Sequence, residues 1–176
     1  DTQLIRQQVD RCRAILTQMA AEAGHSLGEL AQPMSALDLV EQVVARLDTI
    51  GRSEARARMV RVAPADAAAL MVRVPPNATA QALTGIVKNA LDASSDEGPV
   101  ELIIEPRGTL VAIAVRDHGA GMPADILARV GEPFFTTKEP GRGMGLGIFL
   151  ARAVADRLGG ALTLASTPGE GSTVTM

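Results

Sequence analysis

The stretch that decides the fold is GRGMGLG at residues 141–147, in which every second residue is glycine. An apolar segment with helical spacing follows at once, over residues 146–158. A glycine-rich turn at the start of a helix offers free N–H groups and the positive end of the helix dipole to phosphates. Because each glycine adds to the entropy cost of folding, an ordinary surface loop has no need of four. The stretch therefore predicts a phosphate-binding turn that opens a helix.

Two motifs upstream of this turn supply groups that suit a nucleotide. Asn89 lies on a predicted helix over 79–94, where its amide oxygen can ligate a metal ion. Asp117 ends an apolar predicted strand, and its carboxylate can accept a hydrogen bond from an amino group. Gly119 and Gly121 follow and permit the backbone to approach a flat ligand closely. This order indicates a site for a nucleotide with its magnesium ion.

The segment between these motifs and the helix carries two cations. It is rich in glycine and proline over 131–145, contains FFTTK at residues 134–138, and predicts a mobile loop. Lys138 and Arg142 can meet phosphate charge there, although two solvated side chains are the plain alternative. Taken singly, Asn89 is more typical of a surface amide, and the motif at Asp117 is only weak evidence against an ordinary turn. Only the combination favours the nucleotide site.

Composition narrows the possible functions of these 176 residues. The hydrophobic fraction of 47% is enough for a core, and the net charge of −3 with no dense basic run argues against nucleic acid as a partner. The single cysteine, Cys12, excludes an internal disulfide. No apolar run approaches the roughly 20 residues of a membrane helix, so no membrane contact is expected. The phosphate-loop pattern GxxxxGK[ST] and the DFG and HRD motifs of protein Ser/Thr kinases are also missing from the sequence.

The order of predicted elements suggests helices over one face of a sheet. Apolar residues repeat as a heptad seam within a helix over 2–21, the pattern of a helix that packs against other helices. A linker is expected over 24–36, and a second amphipathic helix over 37–50. Strand-like stretches then alternate with the helices, including a hairpin formed by 100–105 and 110–116. The chain ends mid-strand, which favours an excised piece of a larger protein.

In order and spacing these motifs resemble the catalytic ATP-binding domain of bacterial sensor histidine kinases. That domain belongs to the wider gyrase, chaperone, kinase and MutL ATPase group. The resemblance implies an α/β (α+β) two-layer sandwich, the Bergerat fold, with a mixed sheet covered on one face by helices over 37–176. It implies ATP and Mg²⁺ as cofactors, Asn89 as the metal ligand, and Asp117 as the acceptor of the adenine amino group. The residues implied to bind ATP are Asn89, Asp117, Gly119, Gly121, Lys138, Arg142, Gly143, Gly145, Leu146, Gly147 and Thr173.

Residues 132–147 and 8–13 resemble more narrowly the redox-responsive RegB/PrrB sensor kinases. The resemblance makes 1–23 the second, incomplete helix of a dimerisation and phosphoacceptor domain, with a coiled-coil-like seam. It makes Cys12 a candidate for redox sensing, against the plain reading of a small buried hydrophobe. It also implies a homodimer, a response regulator as partner, and a cytoplasmic domain of a protein anchored in the bacterial inner membrane.

Two departures from the family pattern leave alternatives open. His25 lacks the acidic residue and the proline that normally follow the phosphoacceptor histidine, so the acceptor is expected outside this chain. Gly85 stands one turn before Asn89, where the family usually has Asn or Glu, so no catalytic residue is assigned. An ATP-hydrolysing clamp of the gyrase or MutL kind needs a glutamate there, and Gly85 argues against it. A non-enzymatic nucleotide-sensing module stays open.

Overall fold

The structure is a computed structural model that describes residues 29–49, 53–94, 98–139 and 143–176. The predicted helix over 2–21, with Cys12, and the turn residue Arg142 lie outside the described residues. Within these ranges the strands are β1 Gln32–Ser35, β2 Met59–Val62, β3 Met71–Val74, β4 Val100–Arg107, β5 Leu110–Asp117, β6 Thr163–Thr167 and β7 Gly171–Thr175. The α-helices are α1 Ala36–Thr49, α2 Pro76–Ala93, α3 Ala124–Leu127 and α4 Gly147–Arg157. Two short 3₁₀ helices cover Ser53–Arg58 and Ala67–Ala69.

A mixed five-stranded sheet forms one layer, in the order β2-β4-β5-β7-β6. Strands β2 and β4 are parallel, and every other neighbouring pair in this sheet is antiparallel. Helices α1, α2 and α4 contribute buried residues to a single core with one face of the sheet; among these are Leu39, Val43, Leu83, Ile86, Leu102, Val115 and Ala151. The predicted two-layer fold with helices on one face is confirmed. Within the described ranges, no helix combines the length and the apolar character that a membrane crossing requires.

Strand β1 is a difference from the sequence prediction, because it lies inside the expected linker over 24–36. It pairs with β3 in a separate two-stranded antiparallel sheet, with Gln32 opposite Val74 and Ser35 opposite Met71. The sequence QPMS shows no alternation, and its proline is typical of an edge strand, so no strand pattern was visible. The last part of the predicted linker is therefore paired with the domain.

Helix α2 is the element on which the site is built. It begins at Pro76, three residues earlier than predicted, and ends at Ala93. Glu29 stabilises this start: its carboxylate accepts hydrogen bonds from the backbone N–H groups of Asn77 and Ala78, each at 2.9 Å. The first N–H groups of a helix have no partner within the helix, so the Glu29 carboxylate, from the segment before β1, caps them.

Helix α3 is shorter than expected. The sequence predicted a helix over 123–130, but the α-helix covers only Ala124–Leu127 and the chain continues in turns. None of its residues is buried, so no core contact extends it.

Candidate functional site

Asp117 occupies the end of β5 and is the only buried acidic side chain among the described residues, with 5% of its surface exposed. Its Oδ1 accepts a hydrogen bond from the backbone N–H of Gly119 at 2.9 Å. This bond orients the carboxylate at the floor of the loop that follows the strand. A buried, oriented carboxylate is suited to accept a further hydrogen bond from a ligand amino group. Asp117, with Gly119 and Gly121, is called the Asp117 end of the site.

The two glycines of this end pack closely against neighbouring backbone. Gly121 has a φ of +63°, and a Cβ there would collide with the backbone carbonyl oxygen of Thr167. A Cβ on Gly119 would collide in the same way with the carbonyl oxygen of Ala93, the last residue of α2. The small size of glycine therefore permits close packing against neighbouring backbone at both positions. These backbone contacts fix the position of the loop that follows Asp117.

Thr173 does not lie beside Asp117, which corrects the residue expected near adenine. In the register of β5 and β7, Thr173 is opposite Arg116, and its hydroxyl lies 3.4 Å from Arg116 Nε. Ser172 is the residue opposite Asp117. Because side chains alternate between the faces of a strand, Thr173 is directed to the other face of the sheet. The hydroxyl of Ser172 is instead hydrogen-bonded to that of Ser166 at 2.9 Å.

Sequence reasoning missed Ser172, although the signal was present. Asp117 and Val115 share the core-facing side of β5, and Val174 lies opposite Val115. Counting by twos along β7 from the buried Val174 reaches residue 172 on that same side. The strand register, rather than the motif alone, identifies the hydroxyl that lies next to Asp117.

The second part of the site, the Asn89 end, is formed by side chains from α2 and from the loop before α4. The Lys138 ammonium donates hydrogen bonds to Asn89 Oδ1 at 3.1 Å and to Asp92 Oδ2 at 2.7 Å. Asn89 and Asp92 are three residues apart, so both face the same side of the helix. The sequence had predicted Asn89 and Lys138 as site residues. Its helical spacing also placed Asp92 on the same stripe as Asn89, but Asp92 was not assigned to the site.

The N-terminus of α4 points at the same place. Gly147, its first residue, lies against Asn89, because a Cβ on Gly147 would be 3.5 Å from Asn89 Nδ2. Leu146 stands at the N-cap, and a leucine side chain has no polar group with which to cap the helix. The first-turn N–H groups and the positive end of the dipole are therefore directed to the Asn89 end, where an anion is stabilised.

The loop before α4 returns on itself through Gly145. Its φ is +69°, its carbonyl oxygen accepts a hydrogen bond from Phe134 N–H at 3.2 Å, and a Cβ would lie 2.6 Å from the carbonyl carbon of Phe134. Phe134 is the one non-glycine residue with positive φ in the described ranges, at 67°, and its side chain is exposed. The Phe135 ring lies under the Arg129 guanidinium, 4.1 Å from its centre. Lys138, three residues after Phe135, contacts α2 at Asn89 and Asp92.

Helix α2 joins the two ends. Ala93, which contacts Gly119, is four residues after Asn89, about 6 Å along the helix axis. Gly85 lies one turn on the other side of Asn89, and a Cβ there would meet no atom within 4 Å. The face of α2 that carries Gly85, Asn89 and Asp92 is therefore open at Gly85. His118, in the loop after β5, is 2.9 Å from a carboxylate oxygen of Glu101 and lies outside this face.

A cavity of about 460 Å³ lies apart from these residues. Its wall comes from the segment around α3, from α4 and from β6, and includes Leu127, Glu132, Phe149, Arg152 and Leu164. None of the residues predicted to bind a nucleotide lines it. Asp117 lies instead at the end of β5, and Asn89 lies on α2 against the start of α4.

Residues 75–176, more than half of the chain, match the family described as histidine kinase-, DNA gyrase B- and HSP90-like ATPase, HATPase_c. This chain belongs to that family. Sporulation kinase A of Bacillus subtilis is 44% identical over 66 residues, which is 38% of this chain and 11% of that protein. Sensor histidine kinase ZraS of Escherichia coli K12 is 35% identical over 96 residues, 54% of this chain and 20% of that protein. The matched part thus spans about a tenth to a fifth of these relatives.

Two solved structures share the fold. The nucleotide-free catalytic domain of histidine kinase ThkA has a TM-score of 0.68 and 23% identity, over 82% of this chain and 92% of that one. Full-length ShkA in complex with AMPPNP has a TM-score of 0.70 and 20% identity, over 98% of this chain and 36% of that one. Both likenesses show the architecture of a histidine kinase catalytic domain.

Proposed function

We propose that this chain is the ATP-binding catalytic domain of a two-component sensor histidine kinase. It transfers the γ-phosphoryl group of Mg²⁺-ATP to a histidine that is neither His25 nor His118. The observation that carries the proposal is the convergence of Asn89, Lys138 and the N-terminus of α4 on one point, one helical turn from the contact between α2 and the loop of Asp117. The family match and the sensor kinase relatives support the same reaction.

Each end of the site has a separate task in this proposal. The buried Asp117 carboxylate accepts a hydrogen bond from the adenine amino group, and the glycine loop around it encloses the base. Asn89 Oδ1 holds Mg²⁺; an amide oxygen that already accepts a cation, the Lys138 ammonium, fits that role. When bound, the metal neutralises charge on the phosphates. The N-terminus of α4, Lys138 and Arg142 orient the phosphates, since phosphoryl transfer depends mainly on positioning and charge stabilisation.

Gly85 helps to distinguish ATP hydrolysis from phosphoryl transfer to a histidine. A gyrase- or MutL-type clamp needs a polar base one turn before Asn89, and position 85 offers only open space. Transfer to a histidine needs no such base on this helix. A module that only senses nucleotide is the second candidate, favoured by the same glycine.

A phosphotransfer assay separates these functions. The chain is incubated with Mg²⁺-[γ-³²P]ATP and with a separate histidine-bearing dimerisation domain of a sensor kinase. We expect acid-labile, alkali-stable phosphohistidine on the added domain, and none when Asn89 is replaced by Ala. Nucleotide binding without any transfer supports the sensing module, and transfer of phosphate only to water supports the clamp.

The finer proposals extend to the surrounding protein. Residues 1–23 are the second helix of a dimerisation domain, and 24–36 are the linker, whose last part forms strand β1 and pairs with β3. Residues 37–176 are the catalytic domain of a homodimer that is anchored in the bacterial inner membrane and serves a response regulator. The RegB/PrrB likeness of residues 8–13 supports redox control through Cys12. Diamide treatment followed by a non-reducing gel tests this. A Cys12-dependent dimer is expected, and an unmodified monomeric chain contradicts it.

A further inference from the structure

Lys138 occupies the position that the proposed metal ion needs. Its ammonium lies 3.1 Å from Asn89 Oδ1 and 2.7 Å from Asp92 Oδ2, so two oxygen donors converge on one positive charge. The pair is partly shielded from solvent, with 32% of the Lys138 side chain and 20% of the Asp92 side chain exposed. A shielded, charge-assisted contact is stronger than an open surface ion pair.

The loop is shaped to deliver this lysine. The backbone N–H of Lys138 donates to Thr136 Oγ1 at 3.2 Å, which turns the chain at this point. Gly143, on the other side of the loop, lies against the lysine stem, because a Cβ there would be 3.1 Å from Lys138 Cδ and 3.3 Å from Thr136 Oγ1. A larger residue at position 143 would therefore crowd the Lys138 side chain on its way to α2.

We infer that Lys138 is a resident cation of the nucleotide-free site and that Asp92 is a second oxygen ligand beside Asn89. The inference rests on the proposed function. Two cations cannot share the same donors at close range, so a divalent metal ion displaces the ammonium from Asn89 and Asp92. The released lysine is then carried on the same loop to the phosphates. Lys138 thereby keeps free divalent ions out of the site and makes metal entry depend on the arrival of phosphate.

This arrangement differs from a simple phosphate contact in its effect on the nucleotide-free protein. If Lys138 only binds phosphate, its removal weakens nucleotide binding equally with and without metal, and it leaves the empty site unchanged. If Lys138 is a resident cation, its removal opens the donors to a divalent ion. Its removal also increases the gain in nucleotide affinity that a divalent ion provides.

The test uses Mn²⁺ as a paramagnetic probe of the nucleotide-free chain. Binding is measured from electron paramagnetic resonance of free Mn²⁺ and from broadening of the Asn89 side-chain NH₂ signals. We expect Lys138→Met to bind Mn²⁺ about tenfold more tightly than wild type. Lys88→Met removes the same charge from the exposed residue next to Asn89 and is the matched control, with a change below about twofold. Adding Asp92→Asn to Lys138→Met should abolish the gain.

Titration with AMPPNP provides the second readout. The ratio of its affinities with and without Mg²⁺ should be larger in Lys138→Met than in wild type, and circular dichroism melts check that each variant is folded. Equal Mn²⁺ binding by wild type and Lys138→Met, together with an unchanged ratio, overturns the inference and leaves Lys138 as a phosphate contact. If wild type itself binds no AMPPNP with Mg²⁺, the proposed function fails instead.

Discussion

The Asp117 end contacts α2 at Ala93, about one helical turn after Asn89. The two ends of the site are nevertheless held by different kinds of contact. At the Asp117 end backbone meets backbone: Gly119 lies against the Ala93 carbonyl and Gly121 against the Thr167 carbonyl. At the Asn89 end the contacts are made by the side chains of Asn89, Asp92 and Lys138. Backbone contacts of this kind leave no room for rearrangement, whereas an ion pair separates when a competing ion arrives.

The difference suggests a division of labour. The backbone contacts are formed before a ligand binds, so in the proposed function the base enters a site that already has its shape. We expect the side chains of the Asn89 end, which are held by charge, to exchange one cation for another and to move with the phosphates. Each prediction below disturbs one end and asks whether the other responds.

The largest effect is expected from Gly121→Ala. The substitution forces an alanine into left-handed backbone and its Cβ against the Thr167 carbonyl, so the free energy of unfolding should fall by about 3 kcal/mol or more. Gly108→Ala is the control, because Gly108 has the same φ of +63° with no neighbour within 4 Å, and should lose only about 1–2 kcal/mol. Urea unfolding followed by far-UV circular dichroism suits a chain without Trp or Tyr. Equal losses in both variants would show that the close contact of Gly121 with the Thr167 carbonyl adds no steric cost.

Hydrogen exchange compares the ends in the same sample. In the described parts of the loop, residues 131–139 and 143–145, no side chain is buried. The amides of these residues should therefore exchange quickly without ligand and slow by about tenfold or more with saturating Mg²⁺-AMPPNP. The amides of β4 and β5 should be slow in both states. A loop that exchanges equally slowly with and without ligand contradicts a mobile Asn89 end.

Glu29→Gln tests the start of α2, far from both ends. Partial burial raises the pKa of Glu29, but hydrogen bonds from the Asn77 and Ala78 backbone, from the Asn77 side chain, and the charge of Arg46 outweigh it and hold the pKa below its usual 4.5. A carboxylate whose pKa is lowered on folding stabilises the fold above its unfolded pKa and loses that effect as pH falls through the folded pKa.

Wild type should therefore exceed Glu29→Gln by about 0.5–1 kcal/mol in unfolding free energy at pH 7. The gap should narrow as pH falls below 4.5 and close below the folded pKa of Glu29. Glu170→Gln, in the exposed turn between β6 and β7, is the control and should show no comparable gap. Nucleotide affinity should not change in either variant. A gap that stays constant with pH would remove the carboxylate from the cap.

The smallest effect is expected at Gly85. Gly85→Ala should raise the free energy of unfolding by about 0.5–1 kcal/mol, since the Cβ meets open space inside a helix. Gly85→Asn should gain less stability but also raise Mg²⁺-dependent nucleotide affinity by about threefold through one added polar contact. Calorimetry separates the two gains. If Gly85→Asn and Gly85→Ala have the same nucleotide affinity, Gly85 only lowers the stability of the helix, and the Asn89 end does not extend to it.

Periodicity located the elements that carry the site. The apolar stripe of α2 placed Asn89, and the apolar run of β5 placed Asp117 at its end, because burial on one face imposes a period that sequence shows directly. Strand β1 had no such pattern, and its pairing with β3 depends on contacts distant in sequence.

The contacts between side chains were not visible in the same way. Lys138 lies 49 residues after Asn89 in a loop without periodicity, so only the folded chain brings its ammonium to Asn89 and Asp92. Thr173 was misplaced by one residue because a motif gives residue types, whereas the register with β5 decides which face each side chain takes. Arg142 and Cys12 stay predictions.

The measurement that tests the central claim most directly is calorimetric titration of Asp117→Asn with Mg²⁺-AMPPNP, beside wild type. Loss of a charge-assisted hydrogen bond to the adenine amino group should weaken binding by about 1–3 kcal/mol, or roughly 5- to 150-fold. Asp125→Asn, an exposed aspartate at the start of α3, should bind as wild type does. Unchanged affinity in a folded Asp117→Asn protein would contradict the assignment of the Asp117 end to the nucleotide base.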